Sequence, residues 1–185
     1  VIATSDGGFL FVGHTWSFGN AQQIYAVKTD FHGNTMWEKT YGGGMWDVGE
    51  AVIEIKGGGY IIAGHSNSPG ISSGNTDVYL FKIDQDGNQL WQKAHGNPAF
   101  PNHEWAYDIT QLPDEGFLVV GGRNRYSYGS KNGLVLRTDK EGTSGSDIHL
   151  RAHETREDLV CRLRLEKKKY SAGDKTYIIY LSSLT

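Results

Sequence analysis

The sequence predicts an all-β chain made of reiterated four-stranded sheets, and three observations carry that prediction. A unit averaging about 54 residues recurs along the chain, and the apolar runs inside it are short and bounded by glycine. No window of ten or more residues before position 146 has the i, i+3, i+4 apolar spacing of a helix.

The strands follow in order. Gly7-Gly8-Phe9-Leu10-Phe11-Val12-Gly13-His14 matches Gly58-Gly59-Tyr60-Ile61-Ile62-Ala63-Gly64-His65, and both match Glu115-Gly116-Phe117-Leu118-Val119-Val120-Gly121-Gly122. The apolar cores Phe9–Val12, Tyr60–Ala63 and Phe117–Val120 have the form of strands buried on both faces. A second signature follows each: Tyr25 to Asn34, Tyr79 to Asn88 and Leu134 to Thr143, anchored on Asp30, Asp84 and Asp139. Its Asp-x-x-Gly step supplies a turn acceptor and a glycine tolerant of positive φ. Thr35–Lys39 and Gln89–Lys93 are half-polar and suit an outer strand, each with a Trp four residues after the turn glycine, Trp37 and Trp91. Glu50–Ile55 and Tyr107–Leu112 complete the sets. Gly13, Gly64 and Gly121 are spaced 51 and 57 apart, and the three aspartates 54 and 55, so length variation sits in polar loops. These glycines close the second strand of each unit, where neighbouring backbones are expected to approach.

Four short strands per unit joined by Gly-rich turns describe a propeller blade. The Gly-Gly-Phe/Tyr run and the Lys-x-Asp-x-x-Gly-Asn-x-x-Trp turn, followed by Tyr-Gly or His-Gly, resemble a repeat of secreted or surface bacterial and archaeal β-propellers. The pattern is similar to the quinoprotein-type repeat, with an Asp-to-Gly step one residue shorter, as in Asp84 to Gly87. The resemblance covers residues 1 to about 143. It implies an extracellular or cell-surface location, and Trp37 and Trp91 as wedges between blades.

The count of strands gives about two and a half blades, because no Trp-bearing strand follows Gly142, whereas closed propellers have roughly 4–8. A piece of a longer propeller is the preferred reading, ahead of a self-associating fragment or an open array with unpaired edges. The opening on Val1 with no signal-like segment fits a mature or excised piece.

Composition shifts at residues 143–146, which read as a linker over 144–146 between propeller-like repeats (1–143) and a C-terminal segment (147–185). That segment has 8 basic and 6 acidic residues and a single glycine, Gly173. Cys161 to Glu166 alternates in polarity and Thr176 to Leu181 is a second apolar run, which favours a hairpin. A helix beginning at the capping box Thr155-Arg156-Glu157-Asp158 is the alternative. Tyr170-Ser171-Ala172-Gly173-Asp174 resembles the Tyr-x-x-Gly-Asp turn of bacterial immunoglobulin-like modules.

A net charge of −3 gives no general attraction to nucleic acid, and no apolar stretch reaches the ~20 residues of a membrane span. One cysteine excludes an internal disulfide or a Cys-based zinc site. Asp84-Gln85-Asp86-Gly87-Asn88 has the oxygen spacing that opens a calcium loop, but His95 stands where the closing Glu belongs, so a plain turn is expected. His14 and His65 hold one repeat position, which suggests packing rather than metal binding. Gly70-Ile71-Ser72-Ser73-Gly74 lies in a polar loop and not on a strand-to-helix elbow. No catalytic residue, metal or cofactor is expected.

The binding candidates are loop aromatics and their neighbours: Trp46 with Asp47, and Trp105 with His103 and Glu104, before the first strand of their blades, with Trp16 placed similarly after a second strand. The competing reading packs the indoles between blades and makes Asp47 and Glu104 one solvated loop acid twice. The expected function is a non-enzymatic binding or display scaffold meeting glycan or protein through rim loops. The alternatives are the propeller part of a carbohydrate-active or quinone-dependent enzyme, or a subunit that self-associates by strand addition.

Overall fold

A computed structural model describes residues 1–18, 21–68, 75–96, 102–125, 131–150, 162–166 and 178–182. The chain divides into two compact units, Val1–Arg151 and Ala152–Thr185. Every regular element among the described residues is a β-strand.

The first unit holds three four-stranded antiparallel meanders. One contains β1 (Ile2–Ala3), β2 (Phe9–Thr15), β3 (Gln23–Thr29) and β4 (Thr35–Tyr41). The next contains β5 (Asp47–Glu54), β6 (Tyr60–Ser66), β7 (Asp77–Ile83) and β8 (Gln89–His95). The last contains β9 (Asn102–Gln111), β10 (Phe117–Arg125), β11 (Lys131–Thr138) and β12 (Ser144–Leu150). In the second unit β13 (Arg162–Glu166) pairs antiparallel with β14 (Ile178–Ser182), Leu163 opposite Leu181. The capping box at 155–158, Cys161, the turn at 170–174 and the serine loop at 70–74 lie outside the described residues.

The middle sheet explains the apolar runs. Ile61 and Ala63 of β6 and Val78 and Leu80 of β7 pack with Ile109, Phe117, Val119 and Leu136 of the third sheet. The alternate residues Tyr60, Ile62, Tyr79, Phe81 and Ile83 pack with Leu10, Ile24 and Ala26 of the first. A strand with period-two side chains and a core on each side must be apolar at every position. Each fully buried Ile, Leu or Phe here contributes roughly 1.5–3 kcal/mol. The outer strands β4 and β8 are mostly exposed, with Trp37, Lys39 and Tyr41 turned inward on β4 and Trp91 and His95 on β8.

The Asp turns join the third and fourth strands of each sheet. Asp84 Oδ1 accepts from the Asp86 and Asn88 N–H groups at 2.9 and 2.7 Å, and its Oδ2 accepts from Asn88 Nδ2 at 2.9 Å. Asp30 makes the same set with His32 and Asn34, and Asp139 holds the Glu141 and Thr143 N–H groups. These donors hold the Asp30 and Asp84 carboxyls below their usual pKa. Gly33, Gly87 and Gly142 take positive φ at the corner. Trp37 lies against the Gly87 turn of the next sheet, its Nε1–H donating to Gln85 O at 2.9 Å, and Trp91 lies against Gly142.

Two expectations need correction. The third unit has its fourth strand, so the first unit holds three four-stranded sheets and not two and a half. The stretch read as a linker at 144–146 is the start of β12, and the division between units falls after Arg151. Ser146 pairs with Arg137 in the register that Trp37 and Trp91 occupy opposite Lys28 and Lys82. The strand lacks the aromatic that marks its counterparts, yet the exposed N–H and C=O groups of β11 demand a partner whatever side chains it carries.

Candidate functional site

In an antiparallel meander the β2–β3 and β6–β7 connections lie at one end, together with the crossings from β4 to β5 and from β8 to β9. The tight Asp turns lie at the other. The candidate binding residues all belong to the connecting end, and a buried acid organises each crossing.

Asp47 opens β5 and is fully buried. Its Oδ1 accepts from the Ser66 hydroxyl, and its Oδ2 accepts from the Ser68 hydroxyl at 2.8 Å and the Gly43 N–H at 2.7 Å. A Cβ on Gly42 would fall 2.4–2.7 Å from the Asp47 side chain, and Gly42 has φ +126°, so only glycine lets the chain turn over the acid. The Met45 N–H donates to Ser68 Oγ at 3.0 Å. Trp46 exchanges bonds with Asn67: its N–H donates to Asn67 Oδ1 at 2.8 Å and its carbonyl accepts the Asn67 N–H at 3.0 Å. With its backbone committed inward, the strap presents its side chains outward, and Trp46 is 59% exposed. The Asp47 N–H donates to Gln22 O at 3.0 Å, tying the strap to the connection that carries Trp16, 58% exposed, and the exposed Phe18. Four large apolar side chains, Trp16, Phe18, Met45 and Trp46, are thus exposed on two joined segments.

The next crossing repeats the plan with other chemistry. Buried Glu104 lies 3.1 Å from Arg123 Nε, and its N–H donates to Thr76 O at 2.8 Å, as Asp47 does to Gln22. His103 Nδ1 accepts the Thr76 N–H at 3.3 Å, and the His103 and Trp105 rings stack at 6.0 Å and 19°. Trp105 is half-buried within β9.

Asp47 and Glu104 therefore occupy one repeat position, but neither is a solvated acid. Buried, bonded acids are what this position requires. Trp46 and Trp105 are not equivalent: His103 holds the place of Trp46, and Trp105 that of Val48. The five candidates divide between two crossings and form no single cluster. Ser66, Asn67 and Ser68 escaped the sequence reading, although two hydroxyls flanking an amide just after a strand are a visible polar signal.

A titratable group lies lower on the same junction. Glu50 sits at a β-bulge between Gly49 and Ala51, and burial raises its pKa. Its carboxylate is 3.9 Å from His65 Nδ1, beyond hydrogen-bond reach. Burial, with a smaller contribution from the charge of His14, lowers His65 to about 4. Among the described residues no group of three or more His, Cys, Asp or Glu side chains could hold a metal ion. No helix among them is long and apolar enough to cross a membrane. What the arrangement offers chemically is a fixed apolar, π-rich surface bordered by backbone and amide polar groups.

No family model and no curated protein matches the chain. A solved structure from Bacteroides caccae, described as a protein of unknown function, is similar with a TM-score of 0.49 at 18% identity. The match covers 95% of this chain and 51% of that one, so the chain spans about half the length of this neighbour.

Proposed function

We propose that the three sheets are blades of a β-propeller, and that the chain is a non-enzymatic binding scaffold of a secreted or surface protein that takes a glycan or protein ligand at its connecting end. Face-to-face stacking of four-stranded meanders, each indole seated on the turn of the next sheet, supports the propeller reading. The observation that carries the binding reading is the Met45–Trp46 strap, held outward by the buried Asp47. A protein gains nothing for its own core by exposing an indole on a rigid support, whereas a ligand ring or apolar side chain gains a pre-ordered surface. Trp16 and Phe18 extend that surface.

Glycan and peptide arrays probed with the native chain test this. Hits are expected to weaken roughly tenfold or more in Trp46→Ala, as for the aromatic anchor of an interface, with the far-ultraviolet spectrum unchanged. Trp105→Ala reports the second crossing. Hits indifferent to both substitutions would refute rim recognition, and redox activity with added quinone would favour the enzyme.

A further inference from the structure

The turn between the first two strands of each sheet follows one backbone plan. Gly7 N–H donates to Thr4 O at 2.9 Å, Gly58 N–H to Ile55 O at 3.1 Å, and Glu115 N–H to Leu112 O at 3.0 Å. The residue before these donors is Asp6, Gly57 or Asp114, and the residue after them is Gly8, Gly59 or Gly116, each of the three glycines buried.

In the first and third sheets an aspartate completes the turn. Asp6 Oδ1 accepts the Gly8 N–H at 3.0 Å, and its Oδ2 lies 2.8 Å from Lys28 Nζ, which reaches the turn from β3. Asp114 Oδ1 accepts the Gly116 N–H at 3.3 Å, and its Oδ2 pairs with Arg137 of β11. In both, one carboxylate joins a backbone donor to a cation.

The second sheet keeps the donor and the cation and lacks the acid. Gly57 stands in the aspartate's place, and a Cβ on it would meet nothing within 4 Å. Gly57, Gly58 and Gly59 all have positive φ, whereas the sister turns have it only at Gly7 and Glu115. Lys82, half-buried on β7 opposite Ile61, holds the position of Lys28 opposite Leu10 and Arg137 opposite Leu118. Among the described residues no acceptor meets Lys82 Nζ or the N–H groups of Gly57 and Gly59. A donor left unpaired at a buried residue is rare, since it forfeits about as much as a lost hydrogen bond.

The adjoining sheet sharpens the contrast. Ser5 N–H donates to the Glu54 carboxylate at 2.7 Å, whereas its counterpart Lys56 N–H donates to the neutral amide of Gln111 at 3.0 Å. The first junction thus sets Asp6 and Glu54 against Lys28, while the second carries Lys56 and Lys82 with Gly57 and Gln111 in place of the acids. Asp84, whose Cα would lie 3.3 Å from a Cβ on Gly59, is committed to its own turn through Asp86 and Asn88. Asp30 is committed in the same way in the first sheet, where the Asp6 carboxylate is seated as well.

We propose that the Gly57–Gly59 turn, with Lys82 and Lys56, is a binding site for a carboxylate supplied by a ligand. Its oxygens give the free backbone N–H groups and the Lys82 ammonium the acceptor that Asp6 gives Gly8 and Lys28. Backbone donors beside a cation suit a planar anion, and the exposed Lys56 adds a second positive charge. The site lies at the opposite end of the sheets from the aromatic strap and is independent of any ligand there.

The probe is sodium acetate, titrated into the isotope-labelled full chain at constant ionic strength with chloride as the balancing ion. Acetate is expected to saturate, with amide shifts centred on Gly57 to Gly59. Lys82→Met, which keeps an apolar stem, should weaken it roughly tenfold, the weight of a charge-assisted hydrogen bond. Gly57→Asp restores the residue of the sister turns, supplies the carboxylate from within and should abolish the response. Absence of saturation, shifts spread evenly over other exposed lysines, or undiminished binding in Lys82→Met or in Gly57→Asp would overturn the proposal.

Discussion

Gly64→Ala and Gly13→Ala are the same substitution at the same repeat position, and the structure assigns them opposite signs. At Gly64 the new methyl would arrive 1.9 Å from the Val48 carbonyl oxygen, and the obstacle is backbone rather than a side chain that can swing away. Relief requires β5 to move by more than an ångström. That strand is pinned on one side by the Asp47 bonds and on the other by the core residue Val52. Overpacking of this kind costs roughly 1–3 kcal/mol, and the forced backbone shift places it at the upper end. Relief of glycine's strand penalty returns roughly 0.5–1 kcal/mol, leaving a net loss of about 2 kcal/mol. At Gly13 a Cβ would meet nothing within 4 Å, so only the gain applies, about 0.5 kcal/mol. Urea unfolding followed by tryptophan emission reports the first unit, because all five indoles lie at or before Trp105. With a slope of roughly 2 kcal/mol/M, the midpoint should fall by about 1 M for Gly64→Ala and rise slightly for Gly13→Ala. Equal losses in the two variants, or a Gly64→Ala midpoint within error of the native chain, would refute the argument from close approach.

Two further outcomes follow from local geometry. Glu115 has φ +66° where the sister turns carry Gly7 and Gly58 at +86° and +92°, so Glu115→Gly should raise stability by about 0.5–1 kcal/mol in the same assay, with Glu115→Ala giving no gain. His65 is lowered from 6.5 to about 4, so between those values the unfolded chain binds the proton that the folded chain refuses, and stability should fall with pH by up to about 3 kcal/mol. Glu50, raised by burial, opposes this loss, so the informative measurement is the difference between the native chain and His65→Gln, which should flatten across that window.

The parts legible in the sequence are those fixed by local backbone chemistry and by burial on both faces. Asp84-x-x-Gly87-Asn88 closes its turn with its own side chains, and Tyr60 to Ala63 needs only its two neighbouring cores, so periodicity reveals both. β12 was hidden because Ser144-Gly145-Ser146 carries linker composition, while its strand character comes from the edge of β11. Asp47 was hidden for a different reason. An acid between Trp46 and Val48 gives no local sign of burial, since the hydroxyls that satisfy it belong to Ser66 and Ser68, about twenty residues on. The equivalence of Asp47 and Glu104 was legible from their spacing, and the register places Trp46 before one acid and Trp105 after the other, two positions apart, because the position is defined by the buried acid and not by the indole.

The two ends of the stack differ in what they leave available. At the turn end the Asp30, Asp84 and Asp139 carboxylates accept from their own loops, and Tyr41, Lys39 and Trp37 bond to the next turn at 2.7, 2.8 and 2.9 Å. Turn variation there would disturb sheet packing directly, so that end is a poor place for recognition to diversify. At the connecting end the conserved geometry is confined to an acid and its donors, and the acid differs between crossings: Asp47 with hydroxyls, Glu104 with a guanidinium. Beside these latches the chain carries different residues, exposed Met45 and Trp46 at one crossing and half-buried His103, bonded to the Thr76 N–H, at the next. A frame that fixes the backbone through a buried acid while leaving neighbouring side chains free to vary suits surface recognition, and under the proposed binding role it puts ligand choice at the connecting end.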